Sequence, residues 1–123
     1  MSFIGKVKYT VTIMLEFEDL CAYLKCSTCT LVTLGLSHNN MGSDGAIALA
    51  ECLKINNTLQ RLDLHFNNIG DSGCIALAES LKINNTLHTL YVSDNNIGVD
   101  GCIALAESLK INNALCSLYI SDN

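Results

Sequence analysis

The residues able to do chemistry in this 123-residue chain are seven cysteines, three histidines and a set of regularly spaced asparagines. Cys26-Ser-Thr-Cys29 is a CxxC, the spacing used by zinc ribbons and dithiol redox centres. No second CxxC or paired-histidine motif follows it, and adding Cys21 still leaves a fourth ligand missing. Nor does a βαβ redox context surround it, so no metal and no other cofactor is expected. His38, His65 and His88 stand at no recognised spacing from a serine or cysteine nucleophile. G-x-S-x-G, H-E-x-x-H and the phosphate-cradling P-loop are all absent. No catalytic residue can be assigned, and the chain is not expected to be an enzyme. Asn39, Asn67, Asn95 and Asn123 lie 28 residues apart. A carboxamide donates and accepts at once, so it can satisfy backbone groups that lose their partners where a strand ends. These four are expected to be structural rather than ligand-binding.

The bulk properties narrow the partners. Half the residues are hydrophobic and the mean hydropathy is +0.33, which argues against disorder. The net charge is −5 and the seven Lys and Arg are scattered, whereas nucleic acid asks for clustered cations. The apolar run Val7–Leu15 is too short to span a bilayer, and Lys6 and Lys8 break any signal-peptide pattern. An odd number of cysteines forbids a complete set of internal disulfides. The expected location is therefore the cytoplasm, where the sequons at Asn56 and Asn84 would stay unglycosylated.

What positions these residues is a repeat. Leu31, Leu59, Leu87 and Leu115 are 28 residues apart, and Gly73–Thr86 matches Gly101–Ala114 at thirteen of fourteen positions. Each unit opens L-x-x-L-x-L-x-x-N-x-I/M. The inward set is Leu59, Leu62, Leu64, Asn67 and Ile69, then Leu87, Leu90, Val92, Asn95 and Ile97. The Leu62/Leu64 alternation reads as a strand with one buried face. Cys74, Leu77, Ala78 and Leu81 then fall at i, i+3, i+4 and i+7, the stripe of an amphipathic helix. Asp44, Ser72 and Asp100 are expected as helix N-caps. Cys74 and Cys102 fill the slot of Ala46 and should be buried, while Cys52 and Cys116 should be exposed. One unit cannot bury enough apolar surface alone, so neighbours must stack in parallel, strands inside the curve and helices outside.

The 28-residue period, the N-N-I-G turn and the A-L-A-E-x-L-K helix resemble the ribonuclease-inhibitor-like subclass of leucine-rich repeats. That subclass also supplies the sensor arms of nucleotide-binding innate-immune receptors and the body of Ran GTPase-activating proteins. The resemblance implies an α/β leucine-rich-repeat solenoid, a short right-handed horseshoe with parallel strands concave and helices convex. It covers repeats 31–58, 59–86 and 87–114 and a partial unit 115–123. Residues 1–30 read as a divergent N-terminal cap: Val7, Tyr9, Val11, Ile13 and Leu15 alternate like a strand, and Phe17, Leu20, Cys21 and Leu24 have helical spacing. The chain stops after a fourth strand segment, which suggests a fragment or self-association through that edge.

The second and third repeats differ at nine positions, five of them non-core sites of the strand segment: 60, 61, 63, 65 and 66. Helix positions Glu79, Ser80, Lys82 and Ile83, expected to be exposed, recur unchanged as Glu107, Ser108, Lys110 and Ile111. Variation concentrated on one face favours a recognition surface. Stacking should make columns of Gly35, Asp63, Tyr91 and Tyr119, and of Thr33, Arg61, Thr89 and Ser117. Arg61, Phe66, Tyr91 and Tyr119 are the expected anchors on a protein partner, since aromatic and arginine side chains dominate interface energetics. His65 and His88 line the same face, and Asp63, Asp94 and Asp122 would select basic partners. The expected function is a protein-binding module or scaffold. The resemblance also admits a fragment of a Ran-type GTPase-activating protein or of an immune-receptor sensor arm.

Overall fold

The computed structural model describes residues 14–123. Among them the chain runs α1 (Met14–Leu24), β1 (Thr33–Gly35), α2 (Gly42–Leu53), β2 (Arg61–Asp63), α3 (Gly70–Leu81), β3 (Thr89–Tyr91), α4 (Val99–Leu109) and β4 (Ser117–Tyr119). The strands form one parallel sheet in the order β1-β2-β3-β4. Leu34 pairs with Leu62, Leu62 with Leu90 and Leu90 with Leu118. The 28-residue period is thus one strand laid beside the next, and both expected columns form. This is an α/β leucine-rich-repeat solenoid.

The core follows from the two periodicities. Leu34, Leu36, Leu62, Leu64, Leu90 and Val92 point inward from the strand segments, and Leu49, Leu53, Leu77 and Leu81 meet them from the helices. α2 packs on α3 and α3 on α4 at a distance set by glycine. A Cβ on Gly73 would stand 2.9 Å from the Ala46 Cβ and 2.5 Å from Ile69 Cγ2. A Cβ on Gly101 would meet Ile97 Cγ2 at 2.6 Å and Asp71 Oδ1 at 2.8 Å.

The expected N-caps are corrected. The helices start at Gly42, Gly70 and Val99, so Asp44, Ser72 and Asp100 lie inside the first turns. The free helix-end N–H groups are satisfied from the neighbouring repeat instead. Gly42 N–H donates to the Asn67 carbonyl and Gly70 N–H to the Asn95 carbonyl, both at 2.8 Å. Asp71 Oδ1 accepts from Gly98 N–H at 2.7 Å and Gly101 N–H at 3.0 Å. Capping here is a contact between repeats, which no single-repeat motif reveals.

Two asparagine ladders tie the repeats together. Asn67 Oδ1 accepts from Asn39 N–H at 3.0 Å and Met41 N–H at 3.2 Å, while its Nδ2 donates to the carbonyls of Leu36, Leu64 and His65. Asn95 and Asn123 repeat the pattern one and two repeats on. A second ladder, at Asn56, Asn84 and Asn112, escaped the sequence reading. Asn84 Nδ2 donates to the Leu53 and Asn56 carbonyls, and its Oδ1 accepts from Thr86 and Leu87 N–H. Its signal is the I-N-N-T/A motif recurring at the repeat period. Asn56 and Asn84 are buried, with their amides spent on backbone contacts.

Residues 14–24 form a helix, as the spacing of Phe17, Leu20 and Leu24 requires, and α1 packs against α2. The alternating run from Val7 lies outside the described residues as far as Ile13, and its last member, Leu15, belongs to α1. Three burial expectations fail. Cys52 is fully buried because it faces α1, its Sγ 3.5 Å from the Cys21 carbonyl oxygen. Cys102 is exposed although Cys74 is buried, because no described helix covers its side of α4. Ser80 and Ser108 are buried, their hydroxyls donating to the carbonyls of Leu77 and Leu105 at 2.6 and 2.8 Å. Their invariance reflects packing, whereas Glu79 and Ile83 remain exposed. No helix among the described residues is long and apolar enough to cross a membrane.

Candidate protein-binding face

The side chains that alternate away from the leucine core stand on the open wall of the sheet. Parallel pairing puts Arg61 beside Thr89, Asp63 beside Tyr91, and Tyr91 beside Tyr119. Strand neighbours are about 4.8 Å apart, close to the distance at which aromatic rings stack. The Tyr91 and Tyr119 rings do so, with centroids 4.5 Å apart and planes within 7°. Arg61 extends the stack: its Cζ lies 4.7 Å from the Tyr91 centroid, and its Nη2 donates to the Tyr91 hydroxyl. His65 meets the edge of Tyr91 at 5.2 Å and of Phe66 at 6.5 Å. Phe66 in turn stacks on His38 at 4.3 Å.

Each strand segment ends with a residue in the left-handed region: His38, Phe66, Asp94 and Asp122, at φ between 57° and 59°. Asp tolerates this conformation, since its short polar side chain can bond locally, but a bulky apolar residue does not. Phe66 holds it at φ 58° with 47% of its surface exposed. A strained residue kept with its ring in solvent points to use rather than packing.

The expected site residues divide accordingly. Arg61, His65, Phe66, Tyr91 and Tyr119 make one connected array, with Asp94 on its border. Asp63 is half-buried and turned along its own strand end, where Oδ1 accepts from His65 N–H at 3.1 Å and lies 3.9 Å from His65 Nε2. His65 Nδ1 accepts from Ser93 N–H at 3.1 Å, which fixes the ring. His88 stays outside this network: its carbonyl accepts from Cys116 and Ser117 N–H, but its ring joins none of the contacts above. Asp122 is exposed one repeat beyond Asp94. The opposite wall carries the pairs Glu51–Lys54, Glu79–Lys82 and Glu107–Lys110 at 2.9–3.0 Å, solvated contacts of little energetic weight.

The cysteines do not build a competing centre. Cys26 is exposed, and its pKa is lowered by the Thr28 hydroxyl bound at 3.1 Å. Cys29 is buried, its Sγ lying 3.5 Å from Asn56 Nδ2 and 3.6 Å from Thr58 Oγ1. The hydrogen bond to Cys52 and then burial hold the Cys21 thiol well above its ordinary range. Burial pushes the Cys74 thiol up to about 12. Among the described residues no group of three or more His, Cys, Asp or Glu could hold a metal ion.

Stacked strand–helix units with a variable open face define a repeat solenoid of the binding type. The chain belongs to the leucine-rich-repeat proteins: the leucine-rich-repeat family matches residues 28–50, 56–78 and 84–106, more than half of the sequence. No curated protein sequence gives a significant match. Among solved structures, "Leiomodin-1 Actin-Binding Site 2 (ABS2)" superposes with a TM-score of 0.83 at 26% identity, covering 92% of this chain and 69% of that one.

Proposed function

We propose that this chain is a non-catalytic protein-binding module that engages its partner through the open strand face. The observation that carries the reading is the contiguous array Arg61–Tyr91–Tyr119–His65–Phe66. It occupies positions that vary between two repeats otherwise copied almost letter for letter. Rigid aromatic rings already held by their neighbours lose little freedom on binding, which favours affinity. The leiomodin neighbour is an actin-binding site, which supports a protein as the ligand and makes actin the first defined probe. The full helix in each repeat and the 28-residue period support the ribonuclease-inhibitor-like subclass. The engaged amides of Asn56 and Asn84 suit a cytoplasmic location.

The test is site-specific photocrosslinking in cells, with the crosslinker at position 61, 91 or 119 on the open face, or at 75 or 83 on the helix side. We expect one protein to be captured from the strand positions and not from the helix positions. Tyr91→Ala with Tyr119→Ala should abolish its recovery while thermal unfolding stays cooperative. Capture from the helix side alone, or unchanged recovery by the folded double variant, would overturn the reading.

A further inference from the structure

Between the Phe66 side and the Tyr119 side of the array lies a hollow of about 280 Å³, bordered also by His65, Tyr91, Ser93 and Asp94. We propose that this hollow seats one cationic side chain, a lysine or an arginine, from a basic segment of the partner protein. The inference rests on the binding role of the strand face and adds the chemistry of what binds there.

Size comes first. Sites for drug-sized ligands run from about 300 to 1,000 Å³, so this hollow suits a single side chain. Its walls are aromatic, and the faces of such rings are the negative poles of their quadrupoles. The array already takes a guanidinium, since Arg61 lies over Tyr91. The fixed charge on the border is Asp94, whose carboxylate makes no hydrogen bond or ion pair among the described residues; only its backbone N–H is used, donating to the Ser121 carbonyl at 3.2 Å.

Competing ligand classes fail on that carboxylate. An anion would meet the Asp94 carboxylate on the border. An apolar side chain would strip water from an unpaired carboxylate, which is costly. The hydroxyls of Ser93 and Ser121 lie 3.1 Å apart and can serve each other. His65 Nδ1 is already occupied, accepting from Ser93 N–H at 3.1 Å. Arg61 is committed to Tyr91 on the far side of the stack, leaving Asp94, with Asp122 one repeat beyond it, to set the sign. A cation satisfies the carboxylate and the rings at once.

The probes are acetyl-Gly-X-Gly-amide peptides, with X arginine, lysine or citrulline, titrated into the isotope-labelled full chain by NMR. Citrulline keeps the shape of arginine and removes its charge. Arginine and lysine peptides should shift the signals of Phe66, Asp94 and Tyr119, and citrulline should bind at least five-fold more weakly. Asp94→Asn should also weaken arginine binding at least five-fold. Asparagine accepts the left-handed backbone at this position, so that variant should fold. Phe66→Asn removes a wall by a substitution equally suited to its backbone, and should weaken both cationic peptides. Equal binding of citrulline, no effect of Asp94→Asn, shifts centred on Glu79 and Glu107, or no shifts at the highest soluble peptide concentration would each overturn the proposal. If partner capture is lost in the Tyr91/Tyr119 double variant but kept in Asp94→Asn, the binding face stands and the cation slot falls.

Discussion

At the scale of single residues, the same slot in successive repeats holds different side chains for different reasons, and position 74 shows how far environment decides. Ala46, Cys74 and Cys102 are equivalent, yet Cys74 is 1% exposed and Cys102 lies in solvent. Burial pushes the Cys74 thiol up from 9.0 to about 12. Its pKa is raised in the folded state, so the linkage runs one way. Below pH 9 the thiol is neutral in both states and costs nothing. Above pH 9 the unfolded chain releases a proton that the folded chain retains, and stability falls until the folded pKa is passed. Each unit of that interval is worth about 1.4 kcal/mol. Cys74→Ala should fold well, because alanine already fills the slot in the first repeat. Its stability relative to the parent, measured by urea denaturation, should rise by about 1 kcal/mol between pH 8.5 and pH 10. A constant difference over that range would show that the thiol ionises freely in the fold.

At the scale of elements, the strands and helices were legible because their apolar spacings are strict, and Leu62/Leu64 and Leu77/Leu81 lie where those spacings put them. The contacts between elements were not. Asp44, Ser72 and Asp100 look like caps to any rule that reads one helix at a time, whereas the carboxylate that serves α4 belongs to α3. The burial of Cys52 was hidden for the same reason, since it depends on where α1 docks. The open face was partly legible. Copy-to-copy variation at 61, 63, 65 and 66 pointed to it, but only the ring geometry separates the working array from His88 and from Asp63, which is turned along its strand end. The inter-repeat cap can be tested directly. Asp71→Ala leaves Gly98 and Gly101 N–H without their acceptor and removes an anion from the positive end of α4, a loss of about 1–2 kcal/mol by analogy with ordinary N-caps. Asp71→Asn keeps an acceptor and should recover roughly half of it. Amide exchange should accelerate at Gly101 in the alanine variant while β1 stays protected; equal exchange in both variants would remove Asp71 from the cap.

At the scale of the whole molecule, every described repeat is held by its neighbours on the strand, ladder and helix sides at once. Leu62 lies between β1 and β3 in the sheet, fully buried, and Asn67 nearby bonds back to Leu36 while receiving from Asn39 and Met41. Such coupling makes the stack behave as a chain of nearest-neighbour interfaces, in which a defect costs according to how many interfaces it touches. Leu62 and Leu118 occupy the same register position and carry the same side chain, but Leu118 pairs on one side only and is half-buried. Leu62→Ala should therefore cost about 3–4 kcal/mol, in the range for a fully buried leucine whose cavity cannot collapse. Leu118→Ala should cost about 1 kcal/mol, since water already reaches it. In the described array the first variant breaks the stack in its middle and should lower the cooperativity of urea unfolding. The second should shift the midpoint and leave the slope unchanged. Equal losses from the two substitutions would mean that repeats fold on their own leucines rather than on one another, and the stacked architecture would then have to draw its stability from elsewhere.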